Sequence, residues 1–156
     1  MYKVLIVDDE KMIREGIRNV IPWKGMDVGT VLTAATAREA LELISEQNPD
    51  LMITDISMSE MTGLDLIGQI REKETEMRII VLTGYDRFDY VQQALKLKAH
   101  DFLLKPIDEE ELGESIRRQL REVEELRKSK ETKLMAERAE GLRQQWKTNE
   151  IMTEIF

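Results

Sequence analysis

Apolar residues are arranged along the chain in two alternating textures. Short unbroken runs, KVLIV at 3–7, LMIT at 51–54, RIIVLT at 78–83 and FLL at 102–104, each stop on polar residues. Runs of this kind suit strands buried on both faces of a parallel sheet. Between them apolar positions recur every three or four residues, as on a helix. Met12, Ile13, Ile17, Val20 and Ile21 do so before Pro22, and Ala40, Leu41 and Ile44 follow a Thr36/Glu39 capping box and end at Asn48 and Pro49. Leu64, Leu66, Ile67 and Ile70 form a third set, and Phe88, Val91, Ala94 and Leu95, with Asp86 as cap, a fourth. The loop WKGMDVG leads to a short strand of mixed character, VGTVLTAA. Five strands alternating with helices predict an open α/β sheet with right-handed crossovers.

The final third differs. Leu112, Ile116, Leu120, Val123 and Leu126 predict a helix from Asp108, with Glu109, Glu110 and Glu111 at the positive end of its dipole. A helix packed on the sheet needs only about three turns, yet the helical pattern continues through ELRKSKETKLMAERAEGLRQQW. A heptad carried on from Ile116, Leu120 and Val123 meets Arg127 and Lys130 before Leu134. Gly141 weakens it further, by roughly 1 kcal/mol relative to Ala. Residues 1–125 are therefore expected to form one domain, and 126–156 a solvated helical linker or a short dimerising helix pair.

Composition narrows the chemistry. The 156 residues are 42% hydrophobic and 35% charged, with a net charge of −8 and a pI near 4.9. This segment lacks the basic footprint of a nucleic-acid binder. Absence of cysteine removes disulfides, thiol catalysis and thiolate-bound zinc, and the single histidine, His100, argues against a multi-histidine metal centre. No apolar run approaches the ~20 residues of a membrane span, and no signal-peptide pattern opens the chain, so a cytoplasmic protein is expected.

The polar residues that end the strands carry the chemical signal. Parallel alignment would bring Asp8, Asp9, Asp55, Thr83 and Lys105 to one rim, where open α/β sheets bind ligands. Each has an ordinary reading alone: the Asp pair as a helix cap, Thr83 as a turn residue, Lys105 as a surface lysine. Together, on strands one, three, four and five, they form a set. Two carboxylates ~4 Å apart repel by roughly 4 kcal/mol at an effective dielectric near 20. Such a trio must protonate, splay or take a cation, and all-oxygen donors point to Mg²⁺. Asp55 is the candidate nucleophile toward phosphorus, Lys105 a charge for a phosphate oxygen and Thr83 a hydroxyl donor.

In VDDE, DISMSEMTG, LTGYD and FLLKP, residues 1 to about 125 resemble the receiver domain of bacterial two-component response regulators. The resemblance implies a flavodoxin-like, five-stranded parallel sheet of order 2-1-3-4-5. It implies that Asp55 accepts a phosphoryl group from a sensor histidine kinase, and that Asp9, Asp55 and the Ser57 carbonyl bind Mg²⁺, with Asp8 acting through water. Thr83 and Phe102 become switch residues and the Lys105–Pro106 bond is cis. Tyr85 and Ser57, flanking the pocket, are candidates for tuning hydrolysis of the acyl phosphate, with ordinary loop residues as the other reading. The protein is then a phosphoacceptor rather than an enzyme, and it homodimerises on phosphorylation through the face made by the helix at 87–98, the last strand and the helix after Asp108. GYDRFDYVQQALKLKAHDFLLKPID and IREGIRNVIPW resemble receivers that precede AraC-type DNA-binding domains. Residues 127–156 are too few for such a domain, so a fragment is expected, with DNA contacted through the missing part. A stand-alone receiver and an aspartyl-nucleophile phosphohydrolase are the other readings, although adjacent Asp8 and Asp9 lack the phosphohydrolase pattern of two acids one residue apart. A coiled-coil adaptor would need no metal. Ser59 stands where such receivers usually have proline, Lys98 where they have glycine, and Phe102 where many have tyrosine.

Overall fold

The computed structural model describes residues 1–56, 58, 62–73, 76–84, 92, 96 and 98–155, with side chains through residue 145. Its elements are β1 (Tyr2–Val7), α1 (Lys11–Val20), a 3₁₀ turn (Trp23–Met26), β2 (Val28–Ala34), α2 (Ala37–Gln47), β3 (Leu51–Asp55), α3 (Gly63–Glu72), β4 (Arg78–Thr83), β5 (Asp101–Leu104) and α4 (Glu109–Ile155). The strands form one parallel sheet in the order β2-β1-β3-β4-β5, as the resemblance implied. Asp86, Phe88, Val91, Ala94 and Leu95 lie outside the described residues. Met1–Arg121 forms one compact unit and Glu122–Phe156 a second.

The apolar runs become strands because parallel pairing with helical crossovers shields both faces of the sheet. All five residues of β3 are buried, as are Val4 to Val7 of β1 and Ile79 to Thr83 of β4. Strand alternation then sorts them. Leu5, Val7, Met52, Ile79 and Val81 share one cluster with Ala40 and Ile44 of α2 and Leu66, Ile67 and Ile70 of α3. Leu41 is only partly buried beside that cluster, and Met12, which the helical pattern also picks out, is 86% exposed.

Caps and turns set the element ends. Thr36 Oγ1 accepts the Glu39 N–H, as expected of a capping box, but the Glu39 carboxylate reaches one residue further, to the Ala35 N–H. A complete box occurs at α3, between Thr62 and Asp65. Asp108 Oδ1 accepts the N–H groups of Glu110 and Glu111 at the start of α4. Leu112, Ile116 and Leu120 are buried, whereas Leu126, Leu134, Met135 and Leu142 are exposed. Asp101 accepts from Ser115 Oγ (2.5 Å) and Arg118 Nη1 (3.2 Å), and Arg78 Nε donates to Gln119 Oε1 (2.9 Å), which fastens the first turns of α4 to β5 and β4. Lys98 makes its turn in the left-handed region, φ 63°, at the position where the family resemblance leads one to expect glycine. This costs a side-chain-bearing residue about 1–2 kcal/mol. Its carbonyl accepts from Arg71 Nη2 at 2.9 Å.

At the end of the sheet remote from the polar strand termini, His100 Nδ1 accepts the Ile79 N–H at 2.9 Å. Burial, with Arg78 and Arg71 nearby, pulls the imidazole down to about 4. The unfolded chain therefore binds a proton below the ordinary histidine value of about 6.5 that the folded chain refuses. The contribution is complete above pH 6.5 and is lost as pH falls toward 4. Replacement by asparagine, whose side-chain oxygen can accept the same N–H, should flatten this part of the stability–pH curve. The His100→Asn and parent curves, measured by urea unfolding, should separate by on the order of 2 kcal/mol across that window.

Candidate functional site

Sheet register assembles the polar strand ends. Val7 lies opposite Thr54, Asp55 opposite Leu82 and Thr83 opposite Leu104, so the residues that follow β1 and β5 flank the end of β3 and β4. The Lys105 N–H donates to the Thr83 carbonyl at 2.8 Å and the Ile56 N–H to the Leu82 carbonyl at 3.0 Å, extending the ladder past the strands. Carboxylate oxygens of Asp8, Asp9 and Asp55 come within 4.8 Å of one another. Lys105 Nζ stands 3.3 Å from Asp55 Oδ1 and 3.4 Å from Asp8 Oδ2.

Burial divides the trio. Asp8 is fully buried, Asp55 is 5% exposed, and Asp9 faces solvent. Asp8 Oδ1 accepts the Glu10 N–H at 2.9 Å, and its own N–H donates to the Ala34 carbonyl at 3.2 Å. Burial pushes the Asp8 carboxyl up to about 6. The Asp55 charge adds to this, against the stabilising Glu10 N–H and Lys105. For Lys105, burial favours loss of the proton, but attraction to Asp55 and Asp8 outweighs it and raises the ammonium above its ordinary value. Three carboxylates and one ammonium leave two negative charges if all are ionised. The excess and the all-oxygen donor set fit a hard divalent cation such as Mg²⁺.

The other expected residues are placed as follows. Thr83 is fully buried, with its hydroxyl donating to the Gly84 carbonyl at 3.3 Å. Phe102 lies on β5 and is 38% exposed, outside the acidic group. The Lys105–Pro106 bond is cis. Ser57, Ser59 and Tyr85 lie outside the described residues.

Two residues beside the central acid escaped the sequence reading. Gly63, which precedes the first apolar position of the third helical set, begins α3, and its N–H donates to the Ile56 carbonyl at 2.9 Å. A Cβ here would run into the Asp55 carbonyl oxygen and lie 2.9 Å from Ile56 Cα, so glycine permits the helix to approach the main chain of the central acid. Thr54 Oγ1 donates to the same Asp55 carbonyl at 3.0 Å. A glycine immediately after a capping threonine was the available signal.

Comparison with known proteins agrees with this geometry. The family description "response regulator receiver domain" matches residues 4–117, and the chain belongs to that family. An uncharacterized response regulatory protein of Staphylococcus epidermidis is 43% identical over 112 residues, 72% of this chain and 44% of that one. The transcriptional regulatory protein HptR of Staphylococcus aureus is 41% identical over the same shares. The chain thus spans less than half the length of these relatives. Among solved structures, the REC domain of AraT, a response regulator from Geobacillus stearothermophilus, has a TM-score of 0.76 at 42% identity, covering 81% of this chain and 98% of that one. A two component transcriptional regulator AraC from Clostridium phytofermentans has a TM-score of 0.74 at 26% identity, covering 83% and 99%. No helix among the described residues is long and apolar enough to cross a membrane.

The packing around Gly63 yields a paired test. Gly63→Ala should lower the unfolding free energy by roughly 1–3 kcal/mol. Gly68→Ala, on the same helix with open space around its Cβ, should raise it by about 0.5–1 kcal/mol. Urea denaturation of the two variants checks both signs.

Proposed function

We propose that the protein is the phosphoacceptor of a two-component signalling pathway, receiving a phosphoryl group on Asp55 from a sensor histidine kinase. The observation that carries this reading is Lys105 Nζ within 3.4 Å of both Asp8 and Asp55, on a rim where three carboxylates converge. Asp8, Asp9 and Asp55, with the Ser57 carbonyl, would hold Mg²⁺, which neutralises charge on the transferring phosphoryl oxygens when bound. An Asp55 carboxylate oxygen attacks phosphorus, the P–N bond to the kinase imidazole breaks as the O–P bond forms, and the imidazole takes a proton from solvent. Lys105 then pairs with a phosphoryl oxygen in place of a carboxylate. The chain performs this step on itself and loses the group slowly by hydrolysis, so it is a signalling acceptor rather than an enzyme with turnover.

Phosphorylation adds about −1.5 to −2 charges and new acceptor oxygens. The Thr83 hydroxyl, occupied by the Gly84 carbonyl in this state, turns to one of them, and Phe102 moves inward into the space released. The outer face at β5 and α4 is reshaped, favouring a homodimer. Residues 1–125 act as the receiver and 126–156 as a helical linker to a transcriptional output domain. The named transcriptional regulators among the similar proteins support that output, and AraC-type DNA binding is the form it takes in this reading.

Incubation with Mg²⁺ and acetyl phosphate, followed by intact-mass measurement, should show one added phosphoryl group, absent in Asp55→Asn and without added metal. A single label that persists in Asp55→Asn places the acceptor elsewhere and refutes the assignment.

A further inference from the structure

The acidic trio is held unevenly. Asp8 is fixed through its carboxylate, its N–H and its carbonyl, and Asp55 through the strand. Asp9 is exposed, and among the described residues no group holds its carboxylate. The backbone that carries it sets the Cα–Cβ bond from which that carboxylate reaches. The peptide linking Asp8 to Asp9 presents the Asp8 carbonyl oxygen, which accepts a hydrogen bond from Arg14 Nη1 at 2.8 Å. Arg14 reaches back from α1 to make this bond, six residues along the chain. Glu10, at the N-cap of α1, supplies no side-chain cap; the turn is braced by the Asp8 carboxylate on the Glu10 N–H and by Arg14 on the Asp8 carbonyl. Rotation of the Asp8–Asp9 peptide would swing the Asp9 Cα–Cβ bond away from Asp8 and Asp55. A charged donor on that carbonyl opposes the rotation.

We propose that Arg14 is a positioning residue: it clamps the Asp8 carbonyl and thereby aims the Asp9 carboxylate at the cation shared with Asp8 and Asp55. The inference rests on the reading of the trio as a Mg²⁺ site. Arg14 touches no reacting atom and acts through the turn. Electrostatics alone requires the opposite outcome, because removing a cation beside three carboxylates strengthens their attraction for Mg²⁺. The sign of the change therefore separates aiming from simple proximity.

The test is calorimetric titration of Mg²⁺ into the full chain at fixed ionic strength, for the parent, Arg14→Met and Arg14→Lys. Arg14→Met keeps an apolar stem without the donor and should weaken binding roughly tenfold, the scale on which partners outside the ligand set act. Arg14→Lys, which keeps a cationic donor, should recover most of the loss. Thermal unfolding in chelator should be nearly the same for all three, while the Mg²⁺-induced rise in Tm shrinks in Arg14→Met. Equal or tighter binding by Arg14→Met overturns the proposal, as does an equal loss in Arg14→Lys. A metal-free Tm that falls in step with affinity marks a structural role and also overturns it. A parent that binds no Mg²⁺ brings down the reading of the trio itself, whereas a binding parent with an unaffected Arg14→Met removes only the role of Arg14.

Discussion

The ammonium of Lys105 between two buried carboxylates is the interaction on which the site depends. Without a nearby positive charge, Asp8 and Asp55 would be two acids withdrawn from water beside each other, an arrangement that costs several kcal/mol per ion unless compensated. Lys105 stands 3.3 and 3.4 Å from them and compensates only part of the excess. What remains makes the rim receptive to a cation. In the proposed phosphoryl transfer the same residue would counterbalance the acids before the step and the phosphoryl oxygens after it.

That arrangement depends in turn on the sheet. Asp55 occupies the terminal position of a fully buried strand, and its neighbours β1 and β4 are pinned in register at the opposite end, where Asp50 takes the Lys3 N–H on Oδ2 and the Arg78 N–H on its carbonyl. A slip of one residue would turn the side chains of β3 to the other face and bury the acid among the aliphatic residues of α2 and α3. Burial on both faces makes such a slip prohibitive. Chemical precision at the rim is thus a product of aliphatic packing several residues away.

Much of this was legible in the sequence because it follows from periodicity and from where apolar runs stop. The five strands, the α1, α2 and α3 helices and the convergence of Asp8, Asp9, Asp55 and Lys105 belong to that category. Strand order came from family resemblance and not from the residues themselves. What escaped depends on backbone paths that no local pattern encodes. Gly63 reads as a loop residue until the helix is seen against the Asp55 carbonyl. Arg14 reads as a solvent-facing residue of an amphipathic helix until its reach toward Asp8 is known. Met12 fits the helical spacing yet faces solvent, because the apolar stripe on α1 is wider than the surface it covers. Lys98 adopts a left-handed conformation that its identity does not favour, with Arg71 bonded to its carbonyl.

The outer margin of the sheet has a further consequence. Among the described residues β5 ends the sheet, spans only four positions, starts on the hydrogen-bonded carboxylate of Asp101 and is followed after Lys105 by Pro106, which has no N–H to donate. Phe102 and Leu104 are partly exposed on it. A long, flat edge carrying such residues would invite other chains to add strands to it without limit. Brevity, a charge at one end and an imino acid beyond the other let the protein display apolar side chains there while discouraging open-ended polymerisation.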